Sequence, residues 1–303
     1  MNTVFVVNPA SGNGATGRAW PGIAEREDAY GLAGDVLFTA GPGDAVALAE
    51  QAAGDGARLV VAVGGDGTVN EIVNGLLRGG GNGPELAVLP RGTGDDFART
   101  FRIPSKVEAA LEVAAGNSIR TIDLGRARFL GADGRETERY FANFAGAGIS
   151  GAIARRGAAT SRRLGAKAAY VWATVTVFAR WASVPMRIGL DEEIREGPMY
   201  EVIVANGVYA AGGMKIAPQA SPDDGRFDAV LIGDVSKVDF VTTFPKIYRG
   251  THGPHPKVDI VRARTVTVDA DDPLPVVLDG EQPGTTPVRF EIVPAALRLR
   301  VPS

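Results

Sequence analysis

The stretch Leu59-Val60-Val61-Ala62-Val63-Gly64-Gly65-Asp66-Gly67-Thr68-Val69-Asn70-Glu71 passes from five aliphatic residues straight into a glycine turn that holds one carboxylate, and then into a helical segment. Aliphatic residues at every position predict a strand buried on both faces. A tight strand-to-helix turn needs one glycine, and here three surround an acid. Glycine lets backbone approach an anion with its N–H groups exposed, and a helix starting near Thr68 adds the positive end of its dipole. The stretch therefore predicts a phosphate site, with Asp66 placed for a metal or an acceptor hydroxyl.

Working outward, Thr3 to Val7 and Val36 to Phe38 read as strands, Asn8 to Gly14 as a loop, and Asp44 to Ala53 as a helix. Downstream come a helix over Val69 to Leu77 and a strand over Leu86 to Leu89. Such alternation predicts a parallel sheet covered by helices, with ligands at the carboxyl ends of its strands. After about Asp123 the texture changes to short β-type runs separated by glycine and proline. These are Thr121 to Leu124, Tyr140 to Phe144, Met186 to Leu190, Tyr200 to Ala205, Arg226 to Ile232, Thr265 to Asp269, Val276 to Leu278 and Val288 to Val293. They predict a mostly antiparallel β domain, interrupted by a helical insertion over Thr160 to Ser183. Asp191 to Pro198 and Gly250 to Pro256 read as exposed loops, and Ala296 to Val301 as a last short strand.

With 303 residues, 45% hydrophobic and 22% charged, the chain can bury two ordinary cores. A net charge of −3 gives no bulk field for nucleic acid, and zero cysteines exclude disulfides, thiol catalysis and cysteine-ligated zinc. The opening residues lack a basic n-region and read as a first strand, so a cytoplasmic protein is expected. Gly12, Gly14 and Gly17, with Asp35 downstream, match the spacing of a dinucleotide fingerprint. Asn8-Pro9-Ala10-Ser11 separate them from the strand end, however, where the first glycine should sit. No GxxxxGK[ST] sequence is present.

Other residues carry two readings each. Asp96 fits a cap for a helix beginning near Phe97 or a metal organiser. Asp279-Gly280 is a common hairpin turn, and Glu281 after it is either a solvated strand end or a functional acid. Asp223-Asp224-Gly225 suggests a turn or a hard-cation site. His252 and His255 flank Gly253-Pro254 and read as loop residues. Ala168 to Ala179 is uncharged but short of the roughly twenty residues needed to cross a bilayer. Arg155, Arg156, Arg162, Arg163 and Lys167 precede it, which suits either an anionic membrane surface or a core helix with a solvated basic lead-in.

Six ordered blocks resemble the diacylglycerol kinase catalytic domain family, which includes soluble bacterial lipid kinases and the sphingosine and ceramide kinases. They are Asn8-Pro9-x-Ser11-Gly12; Thr39 with Gly43-Asp44-Ala45; Gly64 to Glu71; Pro90-x-Gly92-Thr93-x-Asp95-Asp96-Phe97-Ala98-Arg99; Ala217-Pro218-x-Ala220-x-x-Asp223-Asp224-Gly225-x-Phe227-Asp228; and Leu278-Asp279-Gly280-Glu281. NAD kinases and phosphofructokinases share only the diglycine-aspartate block. The resemblance covers nearly the whole chain. It implies an α/β plus mostly β, NAD kinase/diacylglycerol kinase-like two-lobe fold. A nucleotide-binding parallel α/β lobe over 1–122, to which 289–303 returns, would accompany an antiparallel β-sandwich lobe over 123–288 that carries the helical insertion and binds lipid.

The resemblance further implies an ATP-dependent lipid kinase. ATP would lie between the lobes on Asn8, Ser11, Thr39, Gly64, Gly65, Asp66, Gly67, Thr68, Asn70 and Thr93. Asp66 and Asp96 would organise catalytic Mg²⁺, partly through water, and Glu281 would be the general base. A structural Mg²⁺ would take the Asp224 carboxylate with the carbonyls of Ser221 and Arg226. The implied partners are a lipid alcohol and an anionic membrane surface touched peripherally from the cytoplasm, without nucleic acid; a homodimer stays open. A soluble kinase of a polar metabolite, NAD kinase-like, and a nucleotide- or lipid-sensing module are the alternatives. Two departures stand out: the first basic residue after the Asn-Pro-x-Ser-Gly segment is Arg18, where the family often has an earlier lysine, and Asp95 replaces the family's asparagine.

Overall fold

Runs that are apolar at every position can hide both faces only in a sheet with helices above and below it. The computed structural model describes residues 2–79, 83–164 and 166–303, with backbone alone at 158–164 and 166–171. It divides into two units, Met1–Ile122 with Ala295–Ser303, and Asp123–Pro294.

The first unit comprises β1 (Thr3–Val7), α1 (Ala15–Glu27), β2 (Gly34–Phe38), α2 (Asp44–Gly54), β3 (Leu59–Gly64), α3 (Asp66–Arg78), β4 (Glu85–Pro90), α4 (Asp96–Thr100) and α5 (Val107–Ala115). Its strands pair in parallel in the order β2-β1-β3-β4. Phe5, Val7, Val61, Val63 and Leu89 pack on one face with Trp20 and Ile23 of α1 and Leu111 of α5. On the other face α2 and α3 lie close together because α3 carries Gly75, where a Cβ would sit 2.2 Å from the Val46 carbonyl oxygen.

The second unit follows with β5 (Ile119–Gly131, which begins in the first unit), β6 (Glu136–Phe141), β7 (Phe144–Gly148), α6 (Ile149–Leu164), α7 (Ala166–Arg180), β8 (Val184–Leu190), β9 (Glu193–Ala205), β10 (Tyr209–Ala210), β11 (Met214–Lys215), β12 (Phe227–Gly233), α8 (Lys237–Arg249), β13 (Val258–Ala263), β14 (Thr265–Asp269), β15 (Pro275–Leu278) and β16 (Glu281–Arg300). The strands close on themselves, all antiparallel: β9 pairs with β7, β7 with β15, β15 with β16, β16 with β14, β14 with β8, and β8 with β9 again. Alternate residues point inward to a core where Phe141 stacks on Phe227 and meets Phe290 edge-on. This is the two-part α/β and β-sandwich-like architecture expected. The end of β16, residues 295–300, returns to the first unit and pairs in parallel with β4 through Leu299 and Leu86.

Several boundaries differ from the sequence reading. Ala15–Glu27 is a helix despite Gly17 and Pro21, because its buried Trp20 and Ile23 outweigh local propensity. The insertion is two helices and starts at Ile149. Asp191 and Glu192 form a hairpin turn, Glu193 to Pro198 already belong to β9, and Ala296 to Arg300 continues the strand from Glu281. The α8 helix was unread, although Ser236 caps it by accepting the Asp239 N–H at 3.1 Å, a serine-to-acid spacing visible in sequence.

Glu201 on β9 is buried, with no ionic partner among the described residues. Its oxygens accept the Ser150 N–H (2.7 Å) and hydroxyl (2.6 Å) at the start of α6, and Gly146 and Gly148 leave it room. Burial pushes its carboxyl up from 4.5 to about 7. The folded chain thus holds a proton there that the unfolded chain releases above about 4.5, so stability falls as pH rises through that window. Glu201→Gln should flatten this slope, leaving the melting temperature near that of the natural chain at about pH 5 and above it at about pH 8, by calorimetry. Gly75→Val should cost about 1–3 kcal/mol by overpacking, read as a lower urea midpoint at unchanged slope.

Candidate active site

In the first unit the chain turns outward from β1 to β2 and then back to β3 on the other side, so the carboxyl ends of β1 and β3 flank a topological switch point. The predicted phosphate loop lies there. Gly64 ends β3, Gly65 precedes α3 without any side chain to cap it, and the first helical turn opens on Asp66. The loop after β4 closes against it. A Cβ on Gly65 would meet the Gly92 Cα at 2.8 Å, and one on Gly92 would meet the Gly65 Cα at 2.6 Å. The two backbones therefore touch, and only glycine fits at either place.

Neighbouring residues wire the loops together. Asn8 donates from Nδ2 to the Thr68 hydroxyl (3.0 Å) while its Oδ1 accepts the Ala10 N–H (3.1 Å). Ser11 donates its hydroxyl to the Arg91 carbonyl (3.0 Å), and Arg91 donates its N–H to the Gly64 carbonyl (2.7 Å). Thr39 is buried, with its N–H on the Val7 carbonyl (3.0 Å). Asp44 accepts the N–H groups of Ala40 and Gly41, and Glu71 those of Gly43 and Ala45, which accounts for the Gly43-Asp44-Ala45 block. Asn70 is buried against Asn74, whereas Gly67 and Thr93 are exposed.

Three acids converge at this end of the unit. Asp66 accepts the N–H groups of Phe97 (2.9 Å) and Asp96 (3.2 Å). Asp66, rather than Asp96, caps α4, which corrects that part of the sequence reading. Asp96 is buried and paired with Arg99 one turn on, at 2.5 Å. Asp95 stands in left-handed backbone at φ 51° and closes its own loop by accepting the Gly92 N–H at 2.9 Å. Burial, and then the Asp66 charge, push its carboxyl up to about 6. Crowding of negative charge of this kind is what a divalent cation relieves. Among the described residues no three acidic or histidine groups form a complete cage. Asp66 and Asp96 are hard oxygen donors, and Mg²⁺ commonly uses one or two such carboxylates with water and phosphate oxygens.

In the second unit Glu281 follows the Asp279-Gly280 turn. Its side chain is 49% exposed and pairs with Arg139 at 3.2 Å. The 221–226 loop is held from behind by Asp123, a buried acid the sequence reading passed over, which accepts the Gly225 N–H at 2.7 Å. Asp224 pairs with Arg262 and accepts the Arg226 N–H (3.1 Å), while the Ser221 carbonyl accepts the Asp224 N–H (3.3 Å). Arg262 is thus the ion-pair partner of the carboxylate that the resemblance implies for a structural metal. His252 is a buried loop residue with its ring on the Ile216 carbonyl at 3.0 Å, and burial holds its pKa below 6.5. Arg155 and Arg156 are exposed; Arg162, Arg163 and Lys167 lie outside the described side chains. Trp172 and Val175 of α7 project into solvent at 52% and 59% exposure. Among the described residues no helix is long and apolar enough to cross a membrane.

Two family models account for most of the chain: the diacylglycerol kinase catalytic domain over residues 2–127, and the YegS C-terminal NAD kinase beta sandwich-like domain over residues 143–301. The diacylglycerol kinase of Staphylococcus haemolyticus is 27% identical over 286 residues, covering 94% of this chain and 84% of that protein. That of Staphylococcus epidermidis is 28% identical, covering 94% and 87%. A Bacillus anthracis crystal structure, provisionally described as a diacylglycerol kinase, superposes with a TM-score of 0.82 at 24% identity over 99% of this chain and 95% of its own. A yeast NADH kinase complexed with NADH reaches 0.53 at 13% identity, over 100% and 84%. These two superpositions establish the fold alone.

Gly92→Ala should force the two touching loops apart and cost about 1–3 kcal/mol by overpacking, read as a lower urea midpoint while the far-ultraviolet spectrum stays unchanged.

Proposed function

Because the chain belongs to the diacylglycerol kinase family and is a kinase that transfers phosphate to an alcohol, we propose that its donor is ATP and its acceptor the free hydroxyl of a lipid alcohol such as diacylglycerol. The observation that carries this reading is the Gly65–Gly92 contact bridged by Asp66: an uncapped helix N-terminus and two glycine backbones beside clustered carboxylates. Phosphoryl transfer depends mainly on positioning and electrostatics, and these parts supply both.

In this reading the N–H groups at the start of α3 receive the phosphates, and Asn8, Ser11, Thr39, Gly64, Gly65, Gly67, Thr68, Asn70 and Thr93 complete the nucleotide contacts. Asp66 and Asp96 offer hard oxygen ligands, directly or through water, for Mg²⁺, which when bound neutralises charge developing on the transferred group. Glu281 takes the proton of the acceptor hydroxyl. Its exposure at a turn leaves it open to a substrate, and its pairing with Arg139 holds the carboxylate in place between turnovers. Arg155, Arg156 and the projecting Trp172 and Val175 suit peripheral contact with an anionic membrane, from which the lipid is drawn.

Transfer of labelled γ-phosphate from ATP to a panel of diacylglycerol, phosphatidylglycerol, a sphingoid base and NAD⁺ tests the reading. Label is expected in a lipid product and none in NAD⁺; the reverse pattern would make this a polar-metabolite kinase. Glu281→Gln should lower turnover by about 10²–10⁴ with nucleotide affinity intact, and near-normal turnover would remove Glu281 from its role.

A further inference from the structure

The turn before Glu281 is held more firmly than a hairpin requires. Asp279 (φ 45°) and Gly280 (φ 94°) both lie in left-handed backbone, the two-residue turn for which aspartate-glycine and asparagine-glycine serve equally well. Geometry of the turn alone therefore does not call for an acid. The Asp279 carboxylate nevertheless reaches across to the 142–144 segment. It accepts the N–H of Ala142 at 2.8 Å on one oxygen, and those of Asn143 (3.0 Å) and Phe144 (2.9 Å) on the other. The Asp279 N–H returns a fourth bond to the Phe144 carbonyl at 2.9 Å.

That segment joins β6 to β7, and β6 carries Arg139, the ion-pair partner of Glu281. Asn143 extends the lock, since its carbonyl accepts the N–H groups of Asn206 and Gly207 and its side chain donates to the Tyr209 carbonyl. The Glu281 side chain is half exposed and is held by one ion pair of 3.2 Å, so its own contacts define its place weakly. The Asp279 clamp defines it strongly, by joining the turn that presents Glu281 to the strand that presents Arg139.

We propose that Asp279 is a positioning residue for phosphoryl transfer, acting through Glu281; the proposal rests on the reading of Glu281 as the acceptor base. Asp279→Asn isolates this role, because asparagine keeps the turn but replaces one of the two accepting oxygens by an N–H₂ group, which opposes the amide N–H on that side.

The test compares the natural chain, Asp279→Asn, Glu281→Gln and the double variant, with ATP as donor and dispersed diacylglycerol as acceptor. Asp279→Asn should lower kcat about 10–100-fold, with KM for ATP and melting temperature little changed. The double variant should be no slower than Glu281→Gln alone, since both act on one proton transfer. Full kcat in Asp279→Asn, or losses that multiply in the double variant, would overturn the proposal while leaving Glu281 as the base. Normal turnover in Glu281→Gln would instead remove the reading of Glu281, and this proposal with it. Should Asp279→Asn fail to fold, Asp279→Glu, which keeps the charge and extends the reach by one methylene, enters the same comparison with the same two outcomes.

Discussion

Direct contact between two glycine backbones, Gly65 after β3 and Gly92 after β4, is the constraint on which the first unit's site depends. Adjacent parallel strands deliver their loops side by side, but ordinary side chains would hold those loops apart. With no Cβ on either, the loops meet, and Asp66 crosses from one to accept the two leading amides of α4 in the other. The start of one helix, a cluster of acids and the cap of a second helix are thereby drawn together.

The same device recurs throughout the molecule. Asp44, Glu71, Asp95, Asp123, Asp191 and Asp279 each spend a carboxylate oxygen on backbone N–H groups of a loop, in most cases one distant in sequence. A carboxylate is an acceptor with about four lone-pair sites, so it can gather amides that no strand or helix satisfies. Loops built in this way need few hydrophobic contacts of their own. That suits segments that must stay open to a substrate yet keep a fixed shape.

How far the molecule was legible in its residues follows from the range of the forces involved. Strands such as Thr3–Val7 and Leu59–Val63 announce themselves because burial on both faces demands an unbroken apolar run. The glycine-acid stretch at 64–71 is equally plain, since close backbone approach leaves a compositional mark. Helix Ala15–Glu27 was hidden behind Gly17 and Pro21, whose cost is met by tertiary packing of Trp20 and Ile23 that no local pattern displays. The partners of the acids were illegible for the same reason. Nothing near Asp66 in sequence says that it caps a helix 30 residues away, nothing near Asp224 names Arg262, and Glu201 looks like any solvated strand glutamate until β9 turns inward.

The long strand from Glu281 to Arg300 also sets an order of assembly. Leu299 completes the sheet edge beside Leu86, and Arg300, almost wholly buried, joins Glu85 and the Ala114 carbonyl. On the ribosome the first unit, though mostly made first, stays unfinished until nearly three hundred residues have emerged. Vectorial synthesis thus leaves the first-made part to mature last, and a chain stalled before residue 295 would expose the flank of β4 as a site for chaperone capture or aggregation.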